Sequence, residues 1–113
     1  MQRTLFFAFI FSISYSIVLS QTIGPQNGKL MIVGGGDANK LIEKFVELAG
    51  GENARIVIIP TAGNAEKFTE DWNYSKRVKE FGAKTVTVIH TRDPKTADTE
   101  KFCAPLKEAT GVW

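Results

Sequence analysis

The spacing of apolar residues changes several times along the 113-residue chain, and each change predicts an element. Residues 5–19 are apolar almost throughout, interrupted by Ser12, Ser14 and Ser16. Residues 21–28 are polar and carry Gly24, Pro25 and an Asn27-Gly28 turn, which predicts a flexible lead-in. Residues 29–33 then form a short apolar run closed by Gly34, Gly35 and Gly36, the pattern of a buried strand ending in a tight loop. Leu41, Ile42, Phe45, Leu48 and Ala49 return at helical spacing, with Asp37 as the expected cap and Gly50-Gly51 as the stop.

Ala54, Ile56, Val57, Ile58 and Ile59 make the least interrupted run of the chain, ended by Pro60. A run without polar alternation predicts a strand covered on both faces, as in parallel sheets flanked by helices. Helical spacing resumes over 65–81, with Phe68, Trp72 and Val78 inward, Asn64 as cap and Gly82 as stop. Alternating Thr and Val over 85–91 predict a third strand with one more polar face. A helix over 98–109, broken or kinked by Pro105, and the start of a fourth strand at Gly111-Val112-Trp113 complete the pattern.

Strand and helix alternate, so the expected fold class is α/β, an open parallel sheet with helices on its faces. Ligands of such sheets sit beyond the carboxyl ends of the strands. The loops to watch are therefore 34–37, 61–64 and 90–93.

The leader changes the domain picture. Arg3, the apolar stretch after it, and Val18 and Ser20 at the small-residue positions fit a secretory signal peptide over 1–20, cleaved after Ser20. Its three serines argue against a spanning anchor. The expectation is a secreted or periplasmic protein with no membrane association after cleavage and one domain over 29–113.

Loss of Arg3 with the leader leaves 13 basic against 12 acidic residues. They are interleaved along the chain, without the clustered basic stripe that nucleic-acid binding needs. Cys103 is the sole cysteine, so no internal disulfide supports the fold, and a small apolar role is expected for it.

Motifs with known chemistry match poorly. Gly34 and Gly36 begin a dinucleotide fingerprint, but Asn39 stands where the third glycine belongs, and Pro60 and Thr61 stand where a ribose-binding acid should. Gly28-Lys29 precedes the first strand, which excludes a phosphate-cradling loop. Ser75, the one serine after residue 20, falls inside an expected helix, without the sharp turn an activated serine needs. His90, the sole histidine, ends an expected strand and has no companion at metal-ligand spacing; a solvent-facing or loop-anchoring role is expected. No cofactor or metal is expected.

The ordered set GKLMIVGGGDANKLIEKFVELAGGENARIVIIPTAG (28–63), FGAKTVTVIHTRD (81–93) and EATGVW (108–113) resembles the opening of cyanophycinase-type serine peptidases. The resemblance implies a sheet like that of class I glutamine amidotransferases, flavodoxin-like in type. It also implies hydrolysis of cyanophycin, an aspartate backbone bearing arginine side groups, to aspartyl-arginine dipeptides. The family's GGDQ loop, its serine in an elbow resembling SAGA, and its histidine lie beyond the segment resembling ATGVW, so none has a matching position here. The expectation is a fragment with no catalytic residue of its own and no peptidase activity. Gly34, Gly35, Gly36 and Asp37 are expected to form part of the wall of the substrate site. The partner expected of the full-length protein is an acidic peptide or cyanophycin-like polymer. The competing expectation is a secreted, non-catalytic α/β module that holds a small ligand at the glycine loop.

Overall fold

The computed structural model describes residues 27–34, 36 and 38–113. The expected signal peptide over 1–20 lies outside the described residues, as do Gly35 and Asp37. The described strands are β1 (Arg55–Ile58), β2 (Thr85–Val88) and β3 (Gly111–Val112). They form one sheet in the order β2-β1-β3, with both pairings parallel. Arg55 to Ile58 stand opposite Thr85 to Val88 in step, while Ile56 and Val57 face Gly111 and Val112. Helix α1 (Asn39–Leu48) precedes the strands, and α2 (Asn73–Glu80), α3 (Pro94–Ala97) and α4 (Glu100–Lys107) lie between them. The chain is an α/β protein with an open parallel sheet, as the alternation of periods predicts.

The unbroken run became the central strand. Ile56, Val57 and Ile58 are 1%, 3% and 1% exposed. Consecutive strand residues point to opposite faces, so both faces of β1 are covered. On one face, Ile42 and Val46 of α1 and Val78 of α2 join Ala54, Ile56, Ile58 and Val86 in the core. Each such side chain contributes about 1.5–3 kcal/mol on full burial, so this layer holds most of the fold's apolar stabilisation. On the other face, Val57 and Thr87 lie beside Pro105 and Ala109 around a gap of about 120 Å³, and α4 has no buried residue.

Two glycines set how α1 meets the sheet. Gly50, with φ 117°, turns the chain out of the helix in the left-handed region that side chains avoid. At Gly111 an added Cβ would stand 2.8 Å from Ala49 Cβ and 2.9 Å from Phe45 Cζ, so the helix rests directly on the backbone of β3.

Several expectations are corrected. Residues 29–33 form no strand, and Leu30 and Ile32 are 81% and 89% exposed. A strand exists through hydrogen bonds to a neighbour, and this run lies across a cleft from β3 without pairing to it. Ala38 takes the N-cap position of α1, with no side-chain cap, in place of Asp37. Within α1 the fully buried residues are Ile42 and Val46, while Leu41 is 39% exposed.

The helix expected over 65–81 is confined to Asn73–Glu80, with Trp72 at its N-cap position and Asn64 outside it. Arg92 takes the carbonyls of Gly63 and Ala65, the second of which a helix begun at 65 would need as an acceptor in its own first turn. The third strand stops at Val88, although the Ile89 amide still donates to the Ile58 carbonyl at 3.0 Å. The helix expected over 98–109 is α4, trimmed to Glu100–Lys107, and α3 before it was not expected. Asp98 and Thr99 separate the two, the Thr99 hydroxyl caps α4, and Pro105 lies inside α4.

Candidate functional site

Parallel pairing brings the carboxyl ends of β1 and β2 together, and with them the two loops expected to carry function. Thr61 Oγ1 and His90 Nδ1 share a hydrogen bond of 3.1 Å. Phe68 meets the His90 ring edge-on at 4.9 Å between centroids, and Phe68 also meets Trp72 edge-on at 5.0 Å. Arg92 Nη2 donates to the carbonyls of Gly63 at 2.8 Å and Ala65 at 3.2 Å, and its Nε lies 3.8 Å from Glu66. His90 Nε2 is buried and has no hydrogen-bond partner. His90 thus anchors the loop after β1, one of its two expected roles.

Beyond Arg92, the Asp93 carboxylate accepts from the amides of Lys95 and Thr96 and, at 2.6 Å, from the Thr96 hydroxyl. These bonds favour the charged form and hold the Asp93 carboxyl below its ordinary value, the Thr96 hydroxyl being the largest cause. Pro94 follows at the first helical position, where its missing amide costs nothing.

The larger feature is an open cleft of about 1030 Å³ along the outer edge of β3. Gly34 and Gly36 line it, together with Ala38, Phe45, Tyr74 and Trp113. Phe45 and Trp113 pack edge to face at 5.1 Å. The Trp113 carbonyl accepts from the Ile59 amide at 2.8 Å, which places the indole level with the carboxyl end of β1. Lys29, Tyr74 and Thr110 supply the polar side chains; no His, Ser, Cys, Asp or Glu is among the described residues that line the cleft.

Of the four expected wall residues, Gly34 and Gly36 therefore stand at the cleft, and Gly35 and Asp37 lie outside the described residues. The cleft and the Thr61–His90 cluster share no lining residue. Ser75 is fully buried inside α2, and its Oγ has no partner, so no substrate reaches it in this arrangement. Cys103 is half-buried and donates from Sγ to the Ala97 carbonyl at 3.2 Å. Among the described residues no three His, Cys, Asp or Glu side chains gather as a metal site, and no helix is long and apolar enough to cross a membrane.

Tyr74 and Trp113 as cleft walls, and Arg92 as a clamp on the Gly63 loop, were not anticipated from the sequence. The one available signal was positional. Once β1 and β2 are parallel and in step, residues just past Ile58 and Val88 must meet. No protein-family model, curated protein or solved structure matches the chain. Its chemistry must be read from the geometry. Among its described residues the cleft offers an apolar wall, an indole, a phenol and one ammonium, which suits holding a ligand, and no nucleophile–base pair.

Proposed function

We propose that this chain is the N-terminal portion of a cyanophycinase-type serine peptidase, with a sheet of the class I glutamine amidotransferase, flavodoxin-like kind. In this reading it supplies the scaffold and one wall of the substrate site. The nucleophile and its histidine belong to segments that these 113 residues do not match. The observation that carries the reading is the placement of Gly34 and Gly36 at the mouth of a cleft beside Trp113, at the carboxyl end of a parallel sheet. The complete enzyme would use a base-activated serine to attack the peptide carbonyl, amide donors to hold the oxyanion, and water to release the product. Its substrate would be cyanophycin or a similar acidic peptide. The leader over 1–20 would direct it to the periplasm or out of the cell.

Two experiments test this. Purified residues 21–113 should not turn over cyanophycin or an aspartyl-arginine peptide, and turnover would refute the absence of a nucleophile. The nucleotide sequence after the Trp113 codon should continue in frame through GGDQ to a serine elbow; its absence there refutes the peptidase reading. The apolar lining of the cleft favours a second reading, a secreted module for a small ligand, in which a stop codon follows Trp113 and a ligand quenches its fluorescence.

A further inference from the structure

Ser75 is the one serine after residue 20, and the fold makes no use of its hydroxyl. The residue is 0% exposed, and its Oγ has no hydrogen-bond partner. A buried hydroxyl without a partner costs free energy, so its presence calls for a reason outside the folded structure. Two residues earlier stands Asn73, exposed, at the first position of α2. No side-chain hydrogen bond caps α2 at that end, so the Asn73 carboxamide is not committed to holding the helix start. Asn73, Tyr74 and Ser75 form the acceptor sequence of N-linked glycosylation, Asn-x-Ser with x other than proline. Asn27, Asn39, Asn53 and Asn64 are followed two residues on by Lys29, Leu41, Arg55 and Glu66, so the chain contains this sequence once.

Backbone geometry explains how one serine is both required and idle. In an extended chain residues two apart point to the same side, so Asn73 and Ser75 present carboxamide and hydroxyl together. In a helix of 3.6 residues per turn the same two residues stand about 200° apart and face opposite ways. α2 separates them in this manner: Asn73 is exposed, whereas Ser75 is buried with Val78. The hydroxyl is therefore legible only on the unfolded chain, as during export, and α2 buries it afterwards. Asn73 stays at the surface, where a bulky polar group meets solvent and leaves the core packing untouched.

We propose that Asn73 is an N-glycosylation site, modified before the domain folds, and that Ser75 is present as the second half of its acceptor sequence. The donor is an oligosaccharide carried on a lipid pyrophosphate. The Asn73 amide nitrogen bonds to the anomeric carbon of the sugar, and the bond from that carbon to the phosphate oxygen breaks. The amide gives up one proton, which balances the lipid pyrophosphate that leaves. The inference rests on residues 1–20 acting as an export signal, and it is independent of the peptidase reading.

The test is peptide mass mapping of the full-length protein recovered from its source cells. Trypsin cuts after Lys67 and Lys76, so residues 68–76 form one peptide that holds Asn73 and no other asparagine. The expected result is an N-acetylhexosamine-containing mass increment on that peptide, together with conversion of Asn73 to aspartate by an amidase that releases N-glycans. An exported chain, its leader removed, with 68–76 wholly unmodified overturns the proposal and leaves the export reading standing. A chain that keeps its leader inside the cell refutes the export reading, and the proposal falls with it. Variants expressed in the same cells give the second readout. Asn73→Gln and Ser75→Ala should each abolish the increment, and Ser75→Thr should retain it. Modification that survives Ser75→Ala overturns the role given to Ser75.

Discussion

Thr61 Oγ1 and His90 Nδ1 stand 3.1 Å apart across the carboxyl ends of β1 and β2, and this one hydrogen bond joins two loops separated by 29 residues of chain. It matters more than an exposed contact because His90 Nε2 is already buried without a partner. Thr61→Val keeps the shape of the side chain and leaves both ring nitrogens unsatisfied. The expected loss is about 1–3 kcal/mol of unfolding free energy. Urea denaturation measures it, and a change within error would mean that the imidazole finds another partner.

Gly111 is where α1 touches β3 most closely. A methyl group there must displace Ala49 Cβ, which is fixed by the helix backbone, as well as the Phe45 ring. Gly111→Ala should destabilise the domain by about 1–3 kcal/mol through overpacking. The same variant should move the Phe45–Trp113 edge contact, now 5.1 Å between centroids, and so change the Trp113 emission. Wild-type stability and emission in the variant would show that the helix has room to lift.

What the sequence made legible follows from where the forces are local. The Ala54 to Ile59 run declares a doubly covered strand by composition alone, and β1 is that strand. The turn at Gly50 and the buried Val78 were likewise predictable from spacing. The length of α2 was not, because Arg92, nearly thirty residues downstream, takes the Gly63 and Ala65 carbonyls. The apolar run at 29–33 has strand composition, but pairing depends on a neighbour that composition does not reveal. At the candidate site, glycine clustering pointed to Gly34 and Gly36, whereas Tyr74 and Trp113 reach the cleft only through the tertiary fold.

Ser75 separates a structural serine from a chemical one. It is fully buried in α2, its hydroxyl has no partner, and replacing it by alanine removes an unsatisfied polar group while costing little volume. Ser75→Ala should leave stability unchanged or raise it by up to about 1 kcal/mol, with alanine's better helix propensity acting in the same direction. Thermal unfolding is the check. A loss above about 1 kcal/mol, the worth of a typical hydrogen bond, would reveal a partner for the hydroxyl.

Asp93 should make the start of α3 sensitive to acid. Its carboxylate accepts from the Lys95 and Thr96 amides and the Thr96 hydroxyl, so its value in the folded chain lies below the ordinary one. An aspartate free of such partners titrates at about 3.9. Because the folded value is the lower of the two, the stabilisation is fully present above the unfolded value and disappears as the pH falls through the folded one. The Lys95 and Thr96 amide resonances should therefore shift together on acidification, with a midpoint below that of a free aspartate, and Asp93→Ala should abolish the shift. A midpoint at or above the free value would mean that the carboxylate does not hold these donors. Exposed as Asp93 is, the change should stay within residues 93–97 and leave the amides of β1 and β2 unmoved.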